Sequence, residues 1–136
     1  MYNKQFSYLY VEDDPLSRDV MELMMRNVIG AKRITILESS DHFVTRLNEL
    51  DYQPDLILLD IHVKPLDGFQ MLEILRKHET YHRSKIIALT ASVMSDEIEQ
   101  LRISGFDGAI SKPLSVQSFP HLLEKIIHGE SVWYTS

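Results

Sequence analysis

Short apolar runs alternate with longer amphipathic stretches along the chain. Five of the short runs are rich in β-branched and aromatic residues and predict β-strands. They lie at 7–11, 32–37, 55–60, 85–90 and 109–111. The run at 55–60 is the most continuously apolar, which is typical of a strand covered on both faces. The run at 32–37 is less apolar and predicts an edge strand.

The first helix carries clear start and stop signals. It is predicted to begin at Pro15, which a first helical turn tolerates, with Asp14 as its cap and Gly30 as its stop. Its predicted buried face consists of apolar residues at helical spacing: Leu16, Val20, Leu23, Met24 and Val28. The neighbouring methionines of this helix indicate core packing rather than a binding site.

Helical periodicity also follows each of the later strands. The second helix is predicted to be capped by Ser40 or Asp41 and to end before Pro54. The other three are predicted after Asp67-Gly68, at 95–103 and at 116–127. Strand and helix therefore alternate five times, which predicts an α/β domain: a doubly wound parallel sheet with helices on both faces.

Composition narrows the class of protein. The chain has 136 residues, a length typical of one domain, and 44% of them are hydrophobic, which is enough for a packed core. The formal net charge of −6 argues against a broad contact with a nucleic acid backbone. No apolar run approaches the roughly 20 residues of a membrane span, and the N-terminus lacks the apolar core of a secretion signal. The absence of cysteine excludes disulfides and thiolate chemistry. We therefore expect a soluble, cytoplasmic domain.

Polar residues follow the predicted strands at the end where open parallel sheets bind ligands. Glu12 and Asp13 follow the first strand, Asp60 ends the third, Thr90 ends the fourth and Lys112 follows the fifth. In the winding order 2-1-3-4-5, the first and third strands are neighbours. Glu12 and Asp13 would then face Asp60 across one crevice, and Thr90 and Lys112 would close it.

These residue types are sufficient for phosphorylation of an aspartate. Carboxylates in one crevice repel each other, and protonation or a bound cation relieves that repulsion. An all-oxygen ligand set suits Mg²⁺, which commonly completes its shell with phosphate oxygens. Such an ion would hold a phosphoryl group in line with Asp60, since carboxylates can be phosphorylated directly. Lys112 would pair with the charge of that group, and the Thr90 hydroxyl would donate to one of its oxygens.

Five short segments occur in a specific order along the chain: YLYVEDDP at 8–15, PDLILLD at 54–60, LDG at 66–68, ALTA at 88–91 and SKPL at 111–114. Each segment alone is a weak signal, but all five in order at these separations are specific. With them, the chain from Tyr8 to Ile127 resembles the receiver domain of two-component response regulators. The resemblance implies a flavodoxin-like (βα)5 fold with the strand order 2-1-3-4-5.

The resemblance also implies a role for each residue of the crevice. Asp60 corresponds to the phosphoacceptor, Thr90 to the switch hydroxyl and Lys112 to the phosphate-binding lysine. A cis peptide is implied before Pro113, which would aim the lysine into the crevice. The implied Mg²⁺ contacts are Asp13 directly, Glu12 through water, Asp60 and the backbone carbonyl of His62.

The chain departs from the family pattern at two places. Three and four residues after the acceptor, the family commonly carries Met-Pro, whereas this chain has Val63 and Lys64 and places its proline at Pro65. Three residues before the lysine, the family commonly carries an aromatic side chain that reports phosphorylation, whereas this chain has Ala109. A methyl group cannot make that movement, so the chemistry is better supported than the usual output.

Together these observations predict a stand-alone receiver domain over 1–136, with a core at about 7–128 and no output domain. It would accept a phosphoryl group from the phosphohistidine of a sensor histidine kinase or a histidine phosphotransfer protein onto Asp60, with Mg²⁺ required. It would signal to a downstream protein as a monomer or a phosphorylation-dependent dimer, without direct contact with nucleic acid or membrane. It would catalyse only its own phosphorylation and dephosphorylation.

Two alternatives stay open at this point. A phosphorylation-independent interaction module would use the same fold constitutively, and Ala109 favours it. A phosphatase with an aspartate nucleophile would need a second acid where His62 stands, which makes it the weaker alternative. The apolar segment at 132–134 is a sticky tail, a packing strap or the start of a linker.

Overall fold

The computed structural model describes residues 6–92 and 94–133. Within them, the elements follow in the order β1 (Ser7–Val11), α1 (Pro15–Leu23), a π-helix (Met24–Ile29) that continues α1, β2 (Arg33–Leu37), α2 (Phe43–Glu49), β3 (Leu56–Asp60), α3 (Gly68–Lys77), β4 (Lys85–Thr90), α4 (Ser95–Ser104), β5 (Gly108–Ser111) and α5 (Phe119–Ile127). All five predicted strands are confirmed. No helix within these residues is both long and apolar enough to cross a membrane.

The strands form one parallel sheet in the order β2-β1-β3-β4-β5. This confirms the predicted doubly wound α/β fold and places β2 at an edge. Val11 pairs with Leu59, and Thr90 pairs with Ser111, so the carboxyl ends of four strands meet at one edge of the sheet. The chain runs outward from β1 to β2 and then returns to β3, which leaves a crevice between β1 and β3.

Apolar side chains alternate between the two faces of the sheet. Leu9 and Val11 point into the core layer beneath α2, α3 and α4, whereas Tyr8 and Tyr10 point into the layer beneath α1 and α5. β3 is buried along its whole length, as predicted for a strand covered on both faces. The central strands are therefore held rigidly, and the residues that follow them are positioned by the core.

The buried face of α1 differs from the predicted one. Met21, Met24, Met25 and Ile29 are buried against the sheet. Three residues of the predicted face are instead exposed: Leu16, Leu23 and Val28. The prediction was wrong because two apolar lines overlap in this segment, and the wider π-helical turn brings Met25 and Ile29 onto the sheet. The methionines are core residues, as predicted.

The starts of α1 and α2 test two predicted caps. The Asp14 carboxylate accepts a hydrogen bond from the backbone N–H three residues on, at 2.9 Å, which confirms the cap of α1. α2 begins after His42, whose φ is 55° and whose side chain makes no cap. The cap predicted at Ser40 or Asp41 was therefore wrong. The Ser40 hydroxyl donates to the carbonyl of Leu66 at 2.7 Å and ties this loop to the loop before α3.

The segment after α5 returns to the sheet. It turns at Gly129, where φ is 92°, a left-handed value that glycine adopts without strain. It then places Trp133 beside Ala109 on the outer edge of β5. Of the three interpretations of this segment, the packing strap describes the residues up to Trp133, and Tyr134 lies outside the described residues.

Candidate functional site

Three carboxylates meet at the carboxyl edge of the sheet. Glu12 and Asp13 directly follow β1, and Asp60 is the last residue of β3, the neighbouring strand. One ligand oxygen from each lies within 4.8 Å of those of the other two. Glu12 and Asp60 are buried, whereas Asp13 is exposed. The adjacency of β1 and β3, which no local sequence signal imposes, brings these groups together.

Lys112 reaches into the same crevice from the end of β5. Its Nζ lies 2.9 Å from Oε1 of Glu12 and 3.3 Å from Oδ2 of Asp60. Its backbone N–H donates to the carbonyl of Thr90 at 2.8 Å, which anchors the residue to the end of β4. The peptide bond to Pro113 is cis, as the resemblance implies. A partly buried ammonium therefore bridges two of the three carboxylates.

Two further side chains hold Glu12, and neither was predicted from the sequence. The Tyr10 hydroxyl donates to Oε1 of Glu12 at 3.0 Å within the core. The Arg18 guanidinium donates to the Glu12 carbonyl at 3.0 Å. Tyr10 could have been found, because residues two apart on a strand share a face. Arg18 could not, because its position depends on how α1 packs over β1.

Burial and crowding of the carboxylates change the proton affinities at this site. Burial raises the pKa of the Glu12 carboxyl, and its hydrogen bond to Asp60 raises it further, while Lys112 acts in the opposite direction. Burial alone would lower the pKa of Lys112, but the hydrogen bond to Glu12 and the charge of Asp60 outweigh it and leave the pKa raised. Lys112 is therefore firmly cationic at neutral pH.

The other predicted site residues lie around this centre. The backbone N–H of His62 donates to Oδ1 of Asp60 at 3.3 Å, and its imidazole is exposed. Thr90 is buried at the end of β4, and its hydroxyl donates to the carbonyl of Ser92 at 3.2 Å rather than to Asp60. The Ser92 N–H donates back to that hydroxyl at 3.1 Å. The threonine thus holds the start of the β4–α4 loop.

The two buried tyrosines of β1 provide a matched pair of stability tests. Tyr8 Oη has no hydrogen-bond partner within the described part of the chain, whereas Tyr10 Oη donates to Glu12. We expect Tyr8→Phe to leave the free energy of unfolding unchanged or to raise it by about 1 kcal/mol, because an unpaired buried hydroxyl is costly. We expect Tyr10→Phe to lower it by about 1 kcal/mol. Denaturant unfolding measures both free energies. Equal losses of stability in the two variants would contradict the difference in hydrogen bonding between the two tyrosine hydroxyls.

The comparisons with known proteins agree with this geometry. The family model for the response regulator receiver domain matches residues 8–124. The chain therefore belongs to the receiver domain family of two-component signalling systems. Receiver domains are signalling domains rather than classical enzymes, they interact with sensor histidine kinases, and they bind Mg²⁺ in an acidic pocket.

Two curated relatives differ greatly in length. The polar-differentiation response regulator DivK of Brucella ovis is 29% identical over 113 residues, which cover 83% of this chain and 89% of that protein. Hybrid signal transduction histidine kinase D of Dictyostelium discoideum is 40% identical over 92 residues, which cover 64% of this chain and 6% of that kinase. The chain thus spans most of DivK but a small part of the hybrid kinases that it matches.

Two solved structures share the fold. The receiver domain of a sensor histidine kinase from Pseudomonas aeruginosa is 28% identical, with a TM-score of 0.77 over 92% of this chain and 99% of that one. That structure holds a magnesium ion coordinated in its active site cleft. The chemotaxis response regulator CheY4 of Vibrio cholerae is 16% identical, with a TM-score of 0.79 over 90% of this chain and 98% of that one, and shares the fold.

The residues of this chain fit a divalent cation. Three oxygen ligands converge within 4.8 Å, and all are carboxylates, which hard cations such as Mg²⁺ prefer. Burial first, and then the neighbouring Asp60, raise the pKa of Glu12, and a cation relieves this crowding of carboxylates. No other candidate cluster of three or more acidic, histidine or cysteine ligands occurs within the residues that the structure describes.

Proposed function

We propose that this domain accepts a phosphoryl group from a phosphohistidine donor onto Asp60 and signals through a phosphorylation-dependent protein interaction. One observation carries the proposal: a buried aspartate lies 3.3 Å from a lysine ammonium and has a carboxylate oxygen within 4.8 Å of those of two further carboxylates. This arrangement combines a nucleophilic oxygen with charges that suit a phosphoryl group. The donor would be a sensor histidine kinase or a histidine phosphotransfer protein, and the site would work in the cytoplasm.

The transfer forms one bond and breaks another at phosphorus. A carboxylate oxygen of Asp60 forms the new P–O bond while the P–N bond to the donor histidine breaks. The donor imidazole, protonated at its other ring nitrogen, leaves as neutral histidine. Phosphoryl transfer needs positioning and charge stabilisation more than covalent chemistry, so the surrounding side chains determine the rate.

Two side chains of the site would act on the incoming phosphoryl oxygens. Lys112 Nζ, already 3.3 Å from Asp60, would pair with their negative charge. The Thr90 hydroxyl would donate to one of them after giving up its bond to the carbonyl of Ser92. Glu12, Asp13, Asp60 and the backbone carbonyl of His62 would hold Mg²⁺. The ion would supply positive charge that balances the negative charge of these carboxylates.

Intact mass spectrometry tests the proposal directly. After incubation with Mg²⁺ and a small acyl phosphate, we expect one phosphoryl-sized mass gain, and no gain when a chelator removes the metal. Asp60→Asn is expected to abolish the gain. Asp67→Asn is a matched control, because this carboxylate caps α3 and asparagine caps equally well.

The same experiment separates the proposal from its rival. Absence of any gain in the wild-type protein, or a gain that survives Asp60→Asn, would disprove phosphorylation of Asp60. Such a result would favour a phosphorylation-independent interaction module, the alternative that Ala109 suggests. Sustained hydrolysis of a phosphate ester would instead favour a phosphatase.

A further inference from the structure

The segment after α5 covers the outer edge of β5. The Ala109 amide donates to the carbonyl of Val132 at 2.8 Å, and Trp133 forms a parallel bridge with Ala109. β5 is the last strand of the sheet, and edge strands readily pair with extended peptide segments. The chain's own segment thus occupies a surface that is suited to another chain.

The edge of β5 is shaped to receive this segment. An ideal Cβ built at Gly108 would lie 2.5 Å from the carbonyl oxygen of Val132, a distance at which the backbone has to move. The absence of a side chain at Gly108 therefore permits the close approach. Ala109, the next residue, is fully buried beneath the segment and α4.

Trp133 places an aromatic ring between α4 and β5. The Arg102 guanidinium of α4 lies 4.7 Å from the centroid of the indole ring, within the range of a cation–π contact. The ring is half-buried and packs against the core layer that contains Leu101 and Ala109. An aromatic side chain therefore lies beside β5 although the strand itself carries only the methyl group of Ala109 there.

The covered surface is connected to the candidate site through the end of β4. Thr90 pairs in register with the last residue of β5, and its hydroxyl holds Ser92 at the start of the loop into α4. If this hydroxyl turns toward a phosphoryl group on Asp60, the bond to Ser92 breaks and the loop is released. α4, which carries Arg102 and follows this loop, would then be free to shift against β5.

We propose that Trp133 supplies the aromatic side chain that β5 lacks, and that the segment 131–133 is an internal cover of the α4–β5 surface which detaches when Asp60 is phosphorylated. This inference rests on the proposed phosphorylation of Asp60. Within the described residues, the segment is held by one backbone hydrogen bond, by the burial of Val132, and by the packing of Trp133 against the core and against Arg102. Because Arg102 belongs to α4, a shift of α4 weakens this last contact and changes the population of the docked segment. Detachment exposes the β5 edge to an extended segment of a partner.

Tryptophan fluorescence measures directly whether the segment 131–133 is docked on β5, because Trp133 is the only tryptophan in the chain. In one sample treated with Mg²⁺ and a small acyl phosphate, intact mass and acrylamide quenching of the fluorescence are both measured. As the phosphorylated mass appears, we expect the quenching constant to rise about threefold, with a red shift of the emission, because the detached population replaces the covered one. Asp60→Asn is expected to keep the original mass and quenching.

Gly108→Ala tests the cover without phosphorylation. Its Cβ displaces the carbonyl of Val132, so the unmodified variant is expected to show the quenching of the phosphorylated wild type. Arg102→Gln is expected to give an intermediate value. Arg33→Gln is the matched control, because its guanidinium lies 5.5 Å from the ring of Tyr52 at the opposite edge of the sheet. Circular dichroism verifies that each variant is folded.

The outcomes separate the two proposals. A phosphorylated mass with unchanged quenching would overturn the cover and leave the phosphoacceptor role intact. No phosphorylated mass would overturn the phosphoacceptor role, and release by phosphorylation with it. A folded Gly108→Ala variant that quenches like the wild type would overturn the docking of the segment on β5.

Discussion

Lys112→Met is expected to slow the phosphorylation of Asp60 by about 10²- to 10³-fold, the effect of removing one preorganised group that stabilises transition-state charge. Methionine keeps most of the side-chain length but removes the ammonium, which lies 2.9 Å from Glu12 and 3.3 Å from Asp60. The rate of mass gain from a small acyl phosphate measures the effect. The variant also leaves two buried carboxylates without their cation, so we expect the pKa of Glu12 to rise further.

Lys64→Met is the matched control for this loss of charge. Lys64 is exposed and follows Asp60 by four positions, whereas the ion pairs of Glu12 and Asp60 within the described residues are made with Lys112. Lys64→Met changes the net charge by the same amount as Lys112→Met, but it alters only the long-range electrostatic potential at the site. We therefore expect the rate of phosphorylation to change about twofold at most. Equal slowing by the two variants would contradict a specific role for Lys112.

Mg²⁺ is expected to stabilise the folded protein, and to do so more at about pH 8 than at about pH 5, because a proton and a cation compete for Glu12. The pKa of Glu12 is raised in the folded state. Without Mg²⁺, a raised pKa contributes stability that is complete below the unfolded-state value and is lost as the pH rises through the folded-state value. Mg²⁺ opposes this loss by binding the ionised form. At about a hundredfold excess over the Kd, the gain is about 2.7 kcal/mol. Thermal unfolding with and without Mg²⁺ across this pH range measures it.

Asp13 and Asp14 allow a sharp control for the metal effect. The two residues are adjacent and exposed, but only Asp13 belongs to the cluster of carboxylates, whereas Asp14 caps α1. Asp13→Asn is expected to remove most of the stabilisation by Mg²⁺. Asp14→Asn is expected to keep it, because asparagine caps a helix equally well. If Asp14→Asn removed the stabilisation by Mg²⁺ and Asp13→Asn kept it, the metal ligand would be Asp14 rather than Asp13.

The positions of the strands and of most site residues could be predicted from the sequence. Both depend on signals that are local in the chain: continuous apolar runs for strands, and polar residues directly after them. Because parallel strands end at one edge of the sheet, Asp60, Thr90 and Lys112 had to lie near each other once the strand order was known. The resemblance supplied that order and implied the roles that are proposed for these residues.

Contacts between distant segments could not be predicted in the same way. The buried face of α1 depends on which of two apolar lines meets the sheet, and the π-helical turn at Met24–Ile29 decides it. The bond from Thr90 to Ser92, and not to Asp60, depends on the path of the loop into α4. Neither feature leaves a periodic signal in the sequence.

The sequence by itself determined the class of fold and the positions of Glu12, Asp13, Asp60 and Lys112 at the strand ends, because hydrophobic periodicity and strand-end polarity are properties of neighbouring residues. It also showed that β5 carries Ala109 where the family commonly has an aromatic residue. Only the tertiary structure placed Trp133 beside that alanine, and Tyr10 beneath Glu12. These two arrangements depend on side chains that meet across the packed sheet, and such meetings are decided by the three-dimensional path of the whole chain.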